Sequence, residues 1–416
     1  MNLSDPIESS LSAELLTLIR LVKTEVESLG LPLFIVGGSV RDLVLGRRLN
    51  DFDLTVEGDA IALARSLASK HGGKVTVHAK FSTAKWFLPN NLRSDAESPD
   101  ALDIVSARSE TYQHAAALPT VRTGSIKDDI RRRDFTINAL AIRLDGPHFG
   151  ELRDDLNGMD DLQNGMIRVL HPRSFIDDPT RMYRAVRYEE RYQFKIAEDT
   201  LALIPEARSL IEKLSAQRIR HELDLILEEP NAVSMLARLD EMELLAPIHP
   251  ALSNFNQSNL ATLKSDDAAL QNRQSRWILW LMHLTEQEIE SVNVRLHFTA
   301  DLLKTLHSAA LLNANQTAVV GLKPSQCVEL LDGYSLRVIE TVYHVLPNGE
   351  INNKFSKYLS QWRHIKPKTT GHDLKKRGLK PGPKYAETLR RLRAAWLDGE
   401  VKNKEEELMM LTHLLR

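Results

Sequence analysis

A single cysteine, Cys327, stands among 416 residues. That excludes an intramolecular disulfide and every zinc site built on two or more thiolates, and it suits a reducing compartment. An excess of charge is also missing: 54 Lys and Arg face 56 Asp and Glu, a formal net charge of −2. A chain so near neutrality is no histone-like polycation, so any nucleic-acid surface has to be a local patch. Long apolar runs are absent. The longest plainly apolar stretch near a potential span, Trp277 to Leu284, has eight residues, where about 20 are needed to cross a bilayer. The N-terminus carries Asp5, Glu8 and Glu14 before any Lys or Arg, unlike the basic start of a secretory signal. These absences predict a soluble cytoplasmic protein. No repeat of fixed period and no low-complexity tract is present.

What remains is globular in character. Apolar residues make up 43% and charged residues 26% of the chain, and its length suggests about two to four domains. The first half mixes two periods. Glu14 to Ser28 is amphipathic at helical spacing, with Gly30 as its stop. Leu33–Val36, Phe52–Val56, Lys74–His78, Thr83–Leu88 and Leu102–Ser106 read as strands, and Asp59–His71 as a helix closed by Gly72 and Gly73. Val40–Gly46 reads as a turn or two of helix, and Asn90–Ala101 as a polar loop. From about Phe175 onward helical spacing dominates: Leu201–Leu214, Ala216–Leu227, Ala232–Leu245 and Leu336–Leu346 all carry apolar residues three to four apart. The predicted fold class is α+β, a mixed head followed by an all-helical remainder. The last segment departs from neutrality. Between Trp362 and Arg393 eleven Lys and Arg face two acids, a local charge of +9. Such a stretch is either a solvated helical face or a surface for phosphates.

Three constellations could carry chemistry. The first is Gly37-Gly38-Ser39-Val40-Arg41-Asp42, followed by Asp51-Phe52-Asp53. Two glycines after a strand let the backbone approach a ligand closely, and the helix that follows points free N–H groups at an anion. Arg41, within one turn, is placed to reach a phosphate. Neither the dinucleotide-binding glycine pattern nor a P-loop is present. Asp51 and Asp53, two apart on a strand, share a face with Cα atoms about 7 Å apart. That spacing suits paired divalent cations at a phosphoryl group, and magnesium prefers such oxygen ligands. A solvent-facing strand edge is the bland alternative.

The second is Asp128-Asp129-Ile130-Arg131-Arg132-Arg133-Asp134-Phe135. Phe135, Ile137 and Leu140 anchor it to a core, so at least one arginine is expected inward, where its fork meets phosphate or braces a carboxylate. The third is Asp177-Asp178-Pro179-Thr180-Arg181, continuing to Arg184 and Arg187. Asp before Pro marks a helix start. Asp178, Arg181, Arg184 and Arg187 recur every three residues along one slanted stripe. Asp178 is either a cap or an acceptor beside a forked donor that reads the edge of a base.

In this order and at these separations the three pieces resemble the class II tRNA nucleotidyltransferases. These are the CCA-adding enzymes and their poly(A) polymerase relatives in the DNA polymerase beta-like superfamily. The match includes Ser106-Ala-Arg-Ser-Glu-Thr-Tyr112, Arg132-Arg-Asp-Phe-Thr-Ile-Asn-Ala139 and Leu214-Ser-Ala-Gln-Arg-Ile-Arg-His-Glu-Leu223, and it is strong from about Leu31 to Glu229. Gly371 to Pro383 is similar to the family's C-terminal segment.

The resemblance implies a nucleotidyltransferase head over 1–172 and a helical neck for base recognition over 173–235. A helical body over 236–355 and a basic, tRNA-binding tail over 356–416 follow. It implies that Asp51 and Asp53 are catalytic and bind Mg2+. It places Gly38, Arg41 and Arg133 around the nucleotide, gives Asp178 and Arg181 the base of CTP or ATP, and matches Arg184 and Arg187 to neighbouring nucleotide-site arginines. The implied activity is template-independent addition of CMP and AMP to the 3′ end of tRNA, with no obligate protein partner.

Two features bear on the product. The base-reading motif begins Asp177-Asp178 where the family has Glu-Asp. Arg108 to Lys127 occupies the family's flexible loop, which governs whether CC, A or CCA is added. Asp103 stands where a third polymerase-type carboxylate would sit, or is a surface strand residue. The alternatives are a CC- or A-adding enzyme working with a partner, a poly(A) polymerase, and a non-catalytic RNA-binding module. The last is expected to lack the carboxylate pair.

Overall fold

The structure is a computed structural model that describes residues 1–47, 53–93, 99–253, 270, 272–380 and 382–415. The chain divides into two compact units, Met1–Arg218 and Ile219–Arg416.

The first unit is built on a seven-stranded sheet. Its strands are β1 (Leu33–Val36), β2 (Asp53–Val56), β3 (Lys74–His78), β4 (Thr83–Phe87), β5 (Ala101–Ser106), β8 (Ala141–Arg143) and β9 (Leu152–Arg153). A separate hairpin pairs β6 (Arg108–Thr111) with β7 (Thr120–Thr123). The sheet order is β3-β4-β5-β2-β1-β8-β9. Only β2 and β5 run parallel, with Asp53 opposite Asp103 and Thr55 opposite Val105.

Alternation along these strands sets the two faces. Leu54, Val56, Ala84, Trp86, Leu102 and Ile104 are buried on one face, against α3 (Ala60–His71), which also packs on α1 (Ala13–Leu29). Asp59 caps α3 by accepting from the Ile61 and Ala62 N–H groups, and Gly30 ends α1 in the left-handed region at φ 67°, a conformation glycine adopts freely. On the other face α4 (Ile126–Arg131) seals only one half. Ile126 and Ile130 cluster with Phe34, Val36, Ala139 and Ala141. Among the described residues the half formed by β2, β5 and β4 stays open, and the candidate site lies there.

The expected strands and helices of the head are present, with boundaries moved by a residue or two. Asp51 and Phe52 lie outside the described residues. Two expectations need correction. Strand does not vanish after Phe175, because Lys195–Ile196 pairs with Met166–Ile167 in a two-residue parallel ladder. Leu201–Leu214 is not one helix. Pro205 cannot continue a ladder from within, and the stretch breaks into Ile204–Ala207 and a 3₁₀ segment, Arg208–Lys213.

The second unit carries no strand among its described residues. The apolar run at Trp277 belongs to a helix, Arg273–Leu281, in which Trp277 to Leu281 are all buried. No described helix is long and apolar enough to cross a membrane. The basic segment folds around Leu374, Leu392 and Leu411. Glu407, 1% exposed, accepts from the backbone N–H groups of Lys368 and Thr369 and from the Trp396 indole. Lys375, Lys376, Arg377, Lys380 and Lys384 stay exposed on its outside.

Candidate active site

The glycine turn comes first. β1 ends at Val36, Gly37 turns with φ 73°, and α2 (Gly38–Val44) begins. A Cβ on Gly37 would run into the Arg133 guanidinium, so the close approach and the positive φ both call for glycine. Arg41 follows, 5% exposed. Its Nε and Nη2 each donate to Asp42 at 3.0 Å, and its Nη1 donates to Asn138 at 2.5 Å. Its guanidinium lies 4.6 Å from the Tyr192 ring centre and 5.3 Å from that of Tyr188. Burial works against its charge, yet Asp42 and the two tyrosines more than offset this and raise its pKa. Three of its five N–H groups are thus engaged within the chain, so Arg41 braces the turn while still facing the smaller cavity described below.

The arginine run is held by one carboxylate. Asp129, 1% exposed, accepts from Arg132 Nε and Nη2 at 3.0 and 2.9 Å and from Arg133 Nη2 at 2.8 Å. Burial alone would raise its pKa. Arg133 and Arg132 outweigh that and hold it below the usual carboxylate range. Two of the three arginines are thus fixed inward, as expected. Arg132 also meets Glu110 at 2.9 Å, and Arg108 meets the same oxygen at 3.3 Å. Burial pushes the hydroxyl of Tyr112, which donates to Glu110, up to about 12.

The third piece is the start of α5 (Thr180–Tyr192). Asp178 is extended and accepts from the Thr180 N–H at 2.9 Å and the Thr180 hydroxyl at 2.6 Å. It therefore does cap the helix. It also accepts from Arg218 Nη2 at 2.5 Å. All three bonds fall on Oδ1. Arg218 Nη1 donates to the Ala116 carbonyl at 3.1 Å, which ties the β6–β7 connection to Asp178. Within the segment 108–127, expected to be the family's flexible loop, Arg108–Thr111 pairs with Thr120–Thr123 and Ile126 opens α4. Arg181 donates to the Ser174 hydroxyl at 2.6 Å and the Arg132 carbonyl at 3.0 Å. Arg184 pairs with the buried Asp134 at 2.6 Å. Arg187 is buried, 5.7 Å from the Tyr188 ring centre.

These pieces enclose two adjoining cavities. The larger, about 870 Å³, is lined by Gly38, Ser39, Asp42, Asp53, Thr55, Thr83 and Val105 and by Arg47, Arg108, Arg132, Arg133 and Arg191. Among the described residues five arginines and two aspartates line it, a balance suited to a polyanion. The smaller, about 350 Å³, is lined by Asp178, Arg181, Arg184, Tyr112 and Tyr188, with Arg41, Asp134 and Asn138 beneath. Gly38, Arg132 and Arg133 line both. Of the predicted stripe, Asp178, Arg181 and Arg184 converge on one recess, and Arg187 lies outside both linings. Asp53, exposed at the head of β2, lines the larger cavity. Asp103, its register neighbour, pairs with Lys85 at 3.0 Å.

Among the described residues no cluster of three or more metal-ligating side chains forms. Magnesium does not require one, since it binds through one or two carboxylates plus substrate phosphates and water. An exposed carboxylate beside an arginine-lined cavity fits that donor set. Sequence reasoning missed Asp129 and Glu110 as braces, Arg132 as a wall of both cavities, and the Arg218–Asp178 bond. Arg218 sits in the Leu214–Leu223 motif, but no spacing rule links it to Asp178 across 40 residues.

Two family models match the chain. One is the poly A polymerase head domain, over residues 33–168, and the other the probable RNA and SrmB-binding site of polymerase A, over 193–256. The A-adding tRNA nucleotidyltransferase of Halalkalibacterium halodurans is 34% identical over 98% of this chain and 94% of its own length. The A-adding tRNA nucleotidyltransferase of Geobacter sulfurreducens is also 34% identical over 93% of this chain, which spans only 46% of that longer relative. Among solved structures, a CCA-adding enzyme in an apo form matches with a TM-score of 0.84 at 29% identity, covering 99% of each chain. The Thermotoga maritima CCA-adding enzyme complexed with tRNA matches with a TM-score of 0.81 at 28% identity, covering 100% of this chain and 99% of that one. With an α+β head of this architecture and a relative of this identity along almost its whole length, the chain belongs to the tRNA nucleotidyltransferase family.

Proposed function

We propose that this chain adds nucleotides, CMP and AMP from CTP and ATP, to the 3′ end of tRNA without a nucleic-acid template. The observation that carries this is the pair of cavities sharing Gly38, Arg132 and Arg133. One has a carboxylate among arginines, and the other has an acceptor, Asp178, beside a forked donor, Arg181. A nucleoside triphosphate spans them, phosphates in the first and base in the second. Gly38 admits the phosphates to the backbone, and Arg133 with Arg132 neutralises them. Asp178 presents Oδ2 to the base because Oδ1 is occupied, and Arg181 stands beside it as donor. Arg41 holds the turn, Arg184 holds Asp134 under the recess, and Arg187 supports α5 from within.

Asp51 and Asp53 are the residues that would hold Mg2+. Bound there, it supplies charge neutralisation at the triphosphate and a more acidic 3′-hydroxyl. In the reaction the tRNA 3′-oxygen attacks the α-phosphorus and the bond to pyrophosphate breaks. The protein contributes position and charge. The division into head 1–172, neck 173–235, body 236–355 and tail 356–416 is part of this proposal. The exposed cations of the tail are assigned to the tRNA backbone.

A second reading, addition of the terminal A alone, is favoured by the A-adding relatives named above. One experiment separates the two. The protein is given tRNAs ending before C74, before C75 and before A76, with CTP and ATP separately and together, and the products are sized. Growth of all three substrates to full length supports CCA addition. Extension of only the last, by ATP, supports A addition. No extension of any refutes both.

A further inference from the structure

We propose that Asn138 is a positioning residue for the incoming nucleotide: its amide keeps Arg41 and Asp134 apart, so that Arg41 stays with the glycine turn and Asp134 stays with Arg184 in the smaller cavity. This deepens the function proposed above and rests on it.

Asn138 closes a 3₁₀ turn, Thr136–Asn138, that follows the arginine run. It is 5% exposed and lines the smaller cavity. Its Oδ1 accepts from Arg41 Nη1 at 2.5 Å, and its Nδ2 donates to Asp134 Oδ1 at 2.9 Å. The other oxygen of Asp134 pairs with Arg184 at 2.6 Å. One unbroken chain therefore runs from α2, on the phosphate side, to α5, on the base side: Arg41, Asn138, Asp134, Arg184. Burial works against the charge of Asp134. Arg184, the Asn138 amide and Arg181 outweigh that and hold the carboxyl below its usual range.

An amide is what this position asks for. A guanidinium needs an acceptor and a carboxylate needs a donor, and an amide carries one of each at a fixed separation. The two neighbours also fix which way the amide points. With nothing between them, Arg41 and Asp134 are opposite charges in a buried recess, and they close on each other. Arg184 then loses its buried partner, and the recess loses its shape. The backbone here lies directly under the glycine turn, the Asn138 carbonyl 3.4 Å from where a Cβ on Gly37 would stand. The turn and the recess are thus built on the same residue.

The test uses the full-length protein, tRNA, and CTP or ATP, with each variant assayed below its own melting transition. Asn138→Ala is expected to lower kcat/KM for the nucleotide about 10-fold or more, the size of a lost hydrogen bond to charged groups. The KM for tRNA is expected within twofold of wild type. Asn138→Asp sets a second carboxylate against Asp134. Facing it are Arg41 of α2, with Asp42 bonded to it, Arg133 and Asp134 of its own segment, and Arg181, Arg184 and Tyr188 of α5. Glu110, Tyr112, Arg132 and Asp178 line the same cavity. Arg41 favours the charged form but is already engaged by Asp42. Burial and Asp134 disfavour it, so the two carboxyls hold one proton to a higher pH than a lone carboxylate does. Once protonated, the new acid donates to Asp134 and accepts from Arg41, as the amide does. Its activity relative to wild type at the same pH is therefore expected to be low at about pH 8 and to rise severalfold toward about pH 6. A merely structural loss does not recover on acidification. Wild-type kcat/KM for the nucleotide in Asn138→Ala overturns the assignment, and so does a relative activity of Asn138→Asp that stays flat or falls on acidification. A wild-type protein that extends no tRNA overturns the proposed function instead, and the two failures are distinct.

Discussion

Replacing Asp129 with Asn tests whether one buried carboxylate builds the arginine wall. Asp129 takes three hydrogen bonds from two guanidiniums and is 1% exposed. Asparagine keeps the shape, loses the charge and turns an N–H toward a donor. Removing one partner of a buried ion pair costs about 3–5 kcal/mol. Here Arg132 keeps Glu110, and the side chains of Arg132 and Arg133 are 17% and 19% exposed. The expected loss is therefore about 2–3 kcal/mol after allowing for solvent screening. At about 2–4 °C per kcal/mol for a unit of this size, Tm should fall by about 4–12 °C.

The pH dependence has a definite sign. Asp129 titrates lower folded than unfolded. Its contribution is therefore complete above the ordinary carboxylate pKa and disappears as pH falls through the lowered folded value. The Tm gap between wild type and Asp129→Asn should be full at neutral pH and narrow on acidification below about 4. With Arg133 released from its place against Gly37, the KM for ATP or CTP should rise as well. Thermal unfolding followed by circular dichroism across pH, with steady-state kinetics on the same variant, measures both. A variant with Tm within a degree of wild type at pH 7 and an unchanged nucleotide KM would refute the reasoning.

Two further predictions concern the reaction. Asp53→Ala should abolish nucleotide incorporation while changing stability by no more than about 0.5 kcal/mol, as expected at an exposed position; magnesium-dependent activity in the variant ends the metal assignment. Asp178→Ala and Arg218→Ala should both degrade the choice between CTP and ATP more than they slow transfer, because Arg218 bonds Oδ1 of Asp178 and, on the proposed function, leaves Oδ2 for the base. If Arg218→Ala keeps wild-type selectivity, measured as the ratio of kcat/KM for the two nucleotides, Asp178 needs no such support.

Much of the head was legible because its strands alternate and its helices carry plain stops, Gly30 and Gly72 among them. The two-residue ladder at Lys195 was not, since two residues show no period. Leu201–Leu214 has helical apolar spacing, but Pro205 interrupts it. At the site, residue types and order pointed to Asp53, Arg133, Asp178 and Arg181. What escaped was the set of partners: Asp129 looked like one acid in a mixed run, and Arg218 like one cation on a helix. Pairings across 40 residues are made by the fold and leave no mark on local spacing. A spacing of three followed for three steps puts Arg187 with Asp178 on paper. A helix turns 3.6 residues per revolution, so the stripe drifts and its last member faces the interior instead.

Arg41 joins parts of the first unit that lie far apart in the chain. It lies over two tyrosines of α5 and is bonded to Asn138 and to the acid beside it. On the function proposed above, these contacts tie the phosphate side of the site to the base side like the jaws of a fixed gauge. Such a gauge does not open wider for a purine than for a pyrimidine. Any accommodation of the two has to come from side-chain torsions inside the recess, with the jaws themselves standing still.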